Sequence, residues 1–239
     1  MPLHTVNLSS IPGLKHGFGL SDEPQSKAAI IFANQANGAV VSQQTASPAR
    51  IRSPSDSVFS QLPCCLGITT ADCLPILVSS VRQPFIAVIH AGWQGLFQGI
   101  IRNSVEAYTK AGIDTRALQF AVGPHIGACC YEVSASFAET IERRHSSVWS
   151  NSTPPWSLER DISKVPVPMR AAKAYGDGLW FDLRRYATCL FQDARIRPEQ
   201  ITWTGHCTYC SELSLGSYRR RQHHNEAKRF QRSWICLSA

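Results

Sequence analysis

Charge is scarce in this 239-residue chain: only 17% of residues are Asp, Glu, Lys or Arg, and the acidic ones are the fewer. With 44% hydrophobic residues, this composition excludes a disordered chain and points to a globular fold with a substantial core. Long apolar runs are missing too. None approaches the roughly 20 residues needed to cross a bilayer, so no membrane partner is expected. The first residues, MPLHTVNLSSIPGL, lack a basic stretch followed by an apolar one. No secretory signal is read there, and the cytoplasm is the expected location. No internal repeat is visible.

Nor does any zinc-finger spacing or aromatic array accompany the net charge of +7. Much of the excess lies in Arg219, Arg220 and Arg221 and in Lys228, Arg229 and Arg232. It is read as a solvated basic face, so no nucleic-acid partner is expected; a phosphate-bearing small substrate would also suit it. Nine cysteines are many, but the count is odd and the chain is not small. Without an export signal they are expected to be thiols, ligands or nucleophiles rather than disulfides. Cys207-x-x-Cys210 suggests a metal or redox motif, but no second CxxC accompanies it, so the signal is weak. For Cys129 and Cys130, packing is expected of at least one.

What is present centres on residues 66–101. They read as two apolar strands, each ending in a short polar turn, with a helix after the second. The first turn, Thr69-Thr70-Ala71-Asp72-Cys73, presents a thiol; the second, His90-Ala91-Gly92-Trp93, an imidazole. Cys73 and His90 are therefore expected to meet at the ends of buried strands. Each also has a plainer reading, Cys73 as a small buried hydrophobe and His90 as a satisfied core histidine. Gly92 and Gly95 mark a helix entrance whose free N–H groups would suit an anion or a polarised carbonyl. Asp72 is read as capping its turn. Trp93 is either core or a stacking platform.

Elsewhere the pattern predicts a short strand, a turn at Pro12-Gly13 and a second strand over residues 14–18. Residues 21–29 and 42–56 read as polar loops, and Asn37-Gly38 as a turn leading into a strand at Ala39-Val40-Val41. One helix follows Gly95, with Leu96, Ile100, Ile101 and Val105 on its apolar face, and closes at Ala111-Gly112-Ile113. Strands are expected at 118–122, 201–203 and 233–237. Ser134 is placed to cap a helix from Ala135, and another helix runs from Phe181 to about Ala194. Residues 143–168 read as irregular.

Three blocks stand together: TADCLPILV, AVIHAGWQGLFQGI and GPHIGACCYEV. With HGFG near the start and FDLRRY, CTYC and SYRR near the end, they resemble the YfiH-type, laccase-domain family, from about His16 to Arg220. Its members are known variously as polyphenol oxidases and as zinc-dependent purine nucleoside phosphorylases. The resemblance implies an α+β fold in one domain over residues 1–239. That fold is a layered α/β sandwich with mixed sheets, of the CNF/YfiH-like cysteine-hydrolase type. It also implies a metal held by the histidine of a QVHG motif, the cysteine of TADC and the histidine of HAGW. Cys73 and His90 carry over. Gln35-Ala36-Asn37-Gly38 occupies the place of QVHG, so Asn37 stands as the third ligand, and an amide oxygen is a weak donor for zinc. His125 either replaces it or hydrogen-bonds within its own loop. The family's arginine- and glycine-containing segment after HGF is also absent; Gly19-Leu20-Ser21-Asp22 stands there instead.

The activity so implied is phosphorolysis of adenosine, inosine and methylthioadenosine, together with deamination of adenosine. Zinc on Cys73 and His90 would lower the pKa of a bound water to about 7. Arg219 would bind phosphate, with Arg220 beside it, His125 would protonate the departing base and Trp93 would stack on it. A second reading makes Cys73 the nucleophile and His90 the base of a cysteine hydrolase or amidase acting on cell-wall peptide precursors. A third is a catalytically impaired member that keeps the fold and binds a partner. Copper is not expected, because eight histidines with no His-x-His do not furnish a multicopper site.

Overall fold

The most apolar runs form the centre of the molecule because buried strands need no polar face. In the computed structural model, which describes residues 2–20, 29–45, 51, 53–150, 152–160, 162, 171–174, 176 and 178–238, thirteen strands and six helices are present among those residues. The first half holds α1 (Val6–Ser9), β1 (Leu14–Phe18), β2 (Ile30–Phe32), β3 (Val41–Gln43), β4 (Ser57–Ser60), β5 (Cys64–Thr70), β6 (Leu74–Ser80) and β7 (Ile86–Ala91). After β7 come α2 (Trp93–Phe97), α3 (Ile100–Lys110), β8 (Leu118–Val122), β9 (Glu132–Val133) and α4 (Ala135–His145). The chain ends with β10 (Trp156–Ser157), β11 (Leu179–Phe181), α5 (Leu183–Asp193), β12 (Ile201–Trp203), α6 (Tyr218–His224) and β13 (Gln231–Leu237).

The main sheet has six strands in the order β12-β8-β6-β7-β4-β3. β7 and β8 each pair antiparallel with β6, while β12 on β8 and β3 on β4 are parallel. A four-stranded sheet, β1-β13-β5-β2, lies against one face, and a small sheet, β10-β11-β9, stands apart. Side-chain alternation separates two cores. Leu74, Ile76, Val78, Ala87 and Ile89 share an apolar cluster with residues of α3 and α5. Leu77, Ile86, Val88 and Ala121 meet Leu66, Ile68 and Ile235 of the second sheet. The result is a mixed α+β sandwich of sheet, sheet and helices.

Residues 66–101 contain three strands rather than two, because the chain changes sheets between β5 and β6. The expected first strand is a helical turn, α1. The single helix after Gly95 is two, α2 and α3, separated by Gly99 at φ 91°, a left-handed conformation that breaks the hydrogen-bond ladder. The expected strand at Ala39-Val40-Val41 starts only at Val41, and Phe181 belongs to β11. The last strand begins earlier, at Gln231. Ser134 and Asp182 do cap α4 and α5, accepting from the N–H groups of Phe137 and Arg185. Residues 21–28 of the expected loop over 21–29, and residues 151, 161 and 163–168 of the stretch expected to be irregular, lie outside the described residues. The described part of that stretch holds the end of α4, a 3-10 turn at Ser146–Trp149 and β10.

One expectation about cysteine fails. Cys65 on β5 and Cys236 on β13 are opposite in register and joined by a disulfide. The other seven are free.

Candidate functional site

Antiparallel pairing explains how the thiol and the imidazole come together. Leu74 at the start of β6 pairs with Ala91, and Pro75 with His90. Cys73, one residue before β6, therefore lies beside the last turn of β7. A Cβ added to Gly92 would come within 2.9 Å of the Cys73 Sγ, so glycine is required there by the approach of the thiol. His90 continues the face of Ile86 and Val88, between the two sheets, and is 5% exposed.

The residue that completes this pair is Asp56. Ser57 pairs with Ile89, which sets Asp56 opposite His90. The His90 backbone N–H donates to the Asp56 carbonyl at 2.7 Å, and its Nδ1 lies 2.7 Å from Asp56 Oδ1. Asp56 is held in turn by three consecutive backbone N–H groups, those of Ala36, Asn37 and Gly38, at 3.2, 3.0 and 2.7 Å. The concavity depends on Asn37 at φ 58°, a left-handed conformation that asparagine tolerates. With Nδ1 engaged by Asp56, Nε2 is the ring nitrogen left to interact with the Cys73 thiol. Burial lowers the His90 pKa, but the bonds from Asp56 and Cys73 and their charges outweigh it and raise it to about 9. Burial raises that of Asp56, and the bonds from His90, Gly38 and Ala36 carry it below the ordinary carboxylate value. The sequence pattern puts Asp56 at the end of a polar loop; the residue is 1% exposed.

Cys73, His90 and Asn37 line a cavity of 640 Å³ with Trp93, Tyr131, Phe230, Arg219, Arg221 and Lys228. Trp93 is half-buried and packs edge-on against Phe137, with ring centres 5.0 Å apart. Arg219 donates to the Glu132 carbonyl at 2.7 Å, and its guanidinium carbon is 5.2 Å from the Tyr131 ring centre. Asp72, at φ 85°, is half-buried at the same cavity wall. It accepts from the Thr208 hydroxyl and from the Arg219 N–H, both at 2.6 Å. Its role is therefore to tie α6 to the turn before Cys73, and burial raises its pKa.

Two expected residues lie elsewhere. His125 is buried but does not line this cavity: its Nδ1 is 2.9 Å from the Gly123 carbonyl and its ring stands against Trp203. Burial lowers its pKa. A loop hydrogen bond is thus its position, and it does not stand in for the missing ligand. Arg220 gives its guanidinium to the carbonyls of Thr208, Tyr209 and Leu215 and to Glu226, which makes it a clamp on its own loop.

The weak CxxC signal is corrected as well. Cys207 and Cys210 do have partners, Cys129 and Cys130, and the four sulfurs lie within 4.8 Å of one another. Four thiols this close could share one metal ion. Hydrogen bonds from Cys129, Cys130 and Cys210 hold the Cys207 thiol well below its ordinary pKa.

Comparison with known proteins shows the family and the fold. The chain matches the family model described as multi-copper polyphenol oxidoreductase laccase over residues 20–232. A purine nucleoside phosphorylase of Synechocystis sp. is 26% identical over 205 residues, 83% of this chain and 76% of that protein. Adenosine deaminase RL5, from an unknown prokaryotic organism, is 28% identical over 155 residues, 65% of this chain and 52% of its own length. Among solved structures, YlmD from Geobacillus stearothermophilus superposes with a TM-score of 0.75 at 18% identity, covering 98% of this chain and 94% of its own. YfiH from Bacillus licheniformis gives 0.70 at 19% identity, with coverage of 94% and 93%.

Proposed function

Because the chain belongs to the multi-copper polyphenol oxidoreductase laccase family, we propose that its Cys73–His90 cavity processes purine nucleosides. The reactions are phosphorolysis of adenosine, inosine and methylthioadenosine, and deamination of adenosine. The names of the relatives support the substrate class. The observation that carries the reading is His90, bonded to Asp56, sharing with Cys73 the wall of a cavity that holds both rings and cations. Trp93, Tyr131 and Phe230 offer surfaces for a base, and Arg219, Arg221 and Lys228 offer charge for phosphate. In phosphorolysis a phosphate oxygen bonds to the ribose C1′ while the bond to the base nitrogen breaks. The base leaves with the electron pair and needs a proton. A proton held between His90 and Cys73 at the cavity wall meets that need, which moves to His90 the role expected of His125.

Zinc does not fit this cavity's donor set. Catalytic zinc takes three protein ligands and a water. Here one thiol and one imidazole are joined by an amide oxygen; both oxygens of the Asp72 carboxylate are taken by Thr208 and the Arg219 N–H, and His90 is the only histidine among the described residues lining the cavity. A single imidazole serves copper no better. No step is therefore routed through a metal.

A second reading rests on the same bonds. Cys73, His90 and Asp56 form the order nucleophile, base and orienting carboxylate of a cysteine hydrolase. Sγ would attack an amide carbonyl carbon; His90, which carries its proton at neutral pH, would give it to the leaving amine as the C–N bond breaks and take up the thiol's in exchange.

The test is incubation of the purified protein with adenosine, with and without phosphate, and chromatography of the products. Conversion is expected, with Cys73→Ala and His90→Ala each at least about 100-fold slower. Arg219→Ala should raise the KM for phosphate. No conversion by the wild type would overturn the proposal, and amide hydrolysis abolished by thiol alkylation would then favour the second reading. Asn37→His is expected to bind more zinc than the wild type and to turn adenosine over faster. Histidine also tolerates the left-handed backbone there. Equal zinc and equal rates would remove position 37 from the site.

A further inference from the structure

Outside the cavity, the densest group of metal-binding atoms is the cysteine cluster, and its position follows from topology. β8 and β12 are parallel neighbours, so the segments that follow them leave from the same end of the sheet. The first segment carries Cys129 and Cys130, the second Cys207 and Cys210. A bridge between His125 and Cys207 holds the two together.

We propose that Cys129, Cys130, Cys207 and Cys210 bind one zinc ion as a tetrahedral thiolate site that pins these two segments behind the cavity. Three observations carry this. All four sulfurs lie within 4.8 Å of one another, with Cys129 and Cys210 at 3.7 Å. A zinc–sulfur bond of about 2.3 Å puts the sulfurs of a regular tetrahedron about 3.8 Å apart, so little movement is needed. Second, backbone N–H groups point at the sulfurs: Gly127 donates to Cys207 at 3.3 Å and Ala172 to Cys130 at 3.4 Å. Such bonds stabilise bound thiolates and orient them. Third, Cys130 and Cys210 are buried and Cys129 and Cys207 half-buried, so the ion would be shielded on most sides. An iron–sulfur cluster spreads its cysteine sulfurs wider than a single ion does, so the spacing favours one ion. An all-thiolate set favours zinc over harder metals.

The site would be structural, because four protein ligands leave no open position. Its reach is nevertheless into the cavity. Tyr131, next to Cys130, lines it, and Thr208, next to Cys207, holds Asp72 beside Cys73.

The test is metal analysis and cobalt substitution on the full chain purified under reductant. One zinc per chain is expected in the wild type and in Cys73→Ala, falling at least tenfold in Cys210→Ser. The cobalt form of the wild type should show the visible bands and strong sulfur-to-metal charge transfer of a four-thiolate tetrahedron. Zinc that disappears with Cys73→Ala but survives Cys210→Ser would overturn the proposal. So would a wild type that takes up neither zinc nor cobalt under reductant. If Cys210→Ser does not fold, the wild-type cobalt spectrum decides, since a site with one thiolate lacks the four-sulfur intensity. Neither readout depends on nucleoside turnover, so this proposal and the one above fail separately.

Discussion

At the scale of single residues, the Asp56–His90–Cys73 chain makes a proton unusually hard to remove. The His90 pKa rises from 6.5 to about 9 because two partners outweigh the cost of burial. A raised folded-state value means that the charged imidazole stabilises the fold fully below about pH 6.5. That contribution is then lost as pH climbs through about 9. The span corresponds to about 3 kcal/mol. The stability advantage of the wild type over His90→Gln should therefore shrink by about that much between pH 6 and pH 10 in denaturant titrations. The His90 ring resonances should titrate near the upper value, and a midpoint near the ordinary one would refute the pairing. Cys73 and His90 were legible in the sequence because each ends an apolar run in a distinctive turn. Asp56 was not, since only the pairing of Ser57 with Ile89 sets it beside His90. His125 shows the converse: its motif was plain, but its orientation depends on a bond to Gly123 two residues away.

At the scale of elements, the turn between β5 and β6 does two jobs: it moves the chain from one sheet to the other and delivers Cys73. Asp72 holds that turn at φ 85° and accepts two hydrogen bonds, one from α6 and one from the loop of Thr208. The Arg219 N–H can only donate, while the Thr208 hydroxyl can turn to accept, so an amide in its place keeps both contacts only as neutral hydrogen bonds. Asp72→Asn keeps a side chain that tolerates the left-handed backbone, so its cost isolates the lost charge. Urea unfolding should show a loss of about 1.5–3 kcal/mol, the range for bonds to charged groups. The KM for phosphate should rise as Arg219 loses its anchor. Unchanged stability would mean that the turn stands without the carboxylate. Of the main sheet, β6, β7 and β8 were legible as apolar runs, because burial on both faces leaves little else for their sequences to do, whereas β4 and most of β3 were not. The change of sheets was not, because Thr69 to Cys73 reads as an ordinary turn whichever sheet follows. Gly99, inside an apparently continuous helical period, was passed over for the same reason: periodicity does not register one left-handed residue.

At the scale of the whole molecule, the second sheet is closed by residues from opposite ends of the chain. β13 sits between β1 and β5, and the Cys65–Cys236 disulfide spans 171 positions. Nine cysteines allow too many pairings for spacing to select this one, and the odd count argued against any. Only the register, which sets Cys65 opposite Cys236, identifies it. A crosslink over so long a loop removes much freedom from the unfolded chain, about 5 kcal/mol in the chain-entropy limit and more often 2–4 kcal/mol. Reduction, or the double variant Cys65→Ser/Cys236→Ser, should lower unfolding stability by about that smaller amount. Adenosine turnover should stay unchanged, because neither residue lines the cavity. Peptide mapping of protein alkylated at lysis, without reductant, should recover the Cys65 and Cys236 peptides joined. All nine thiols found alkylated would overturn the crosslink. A joined pair would count against a reducing compartment, and so against the cytoplasmic location first expected from the N-terminal residues.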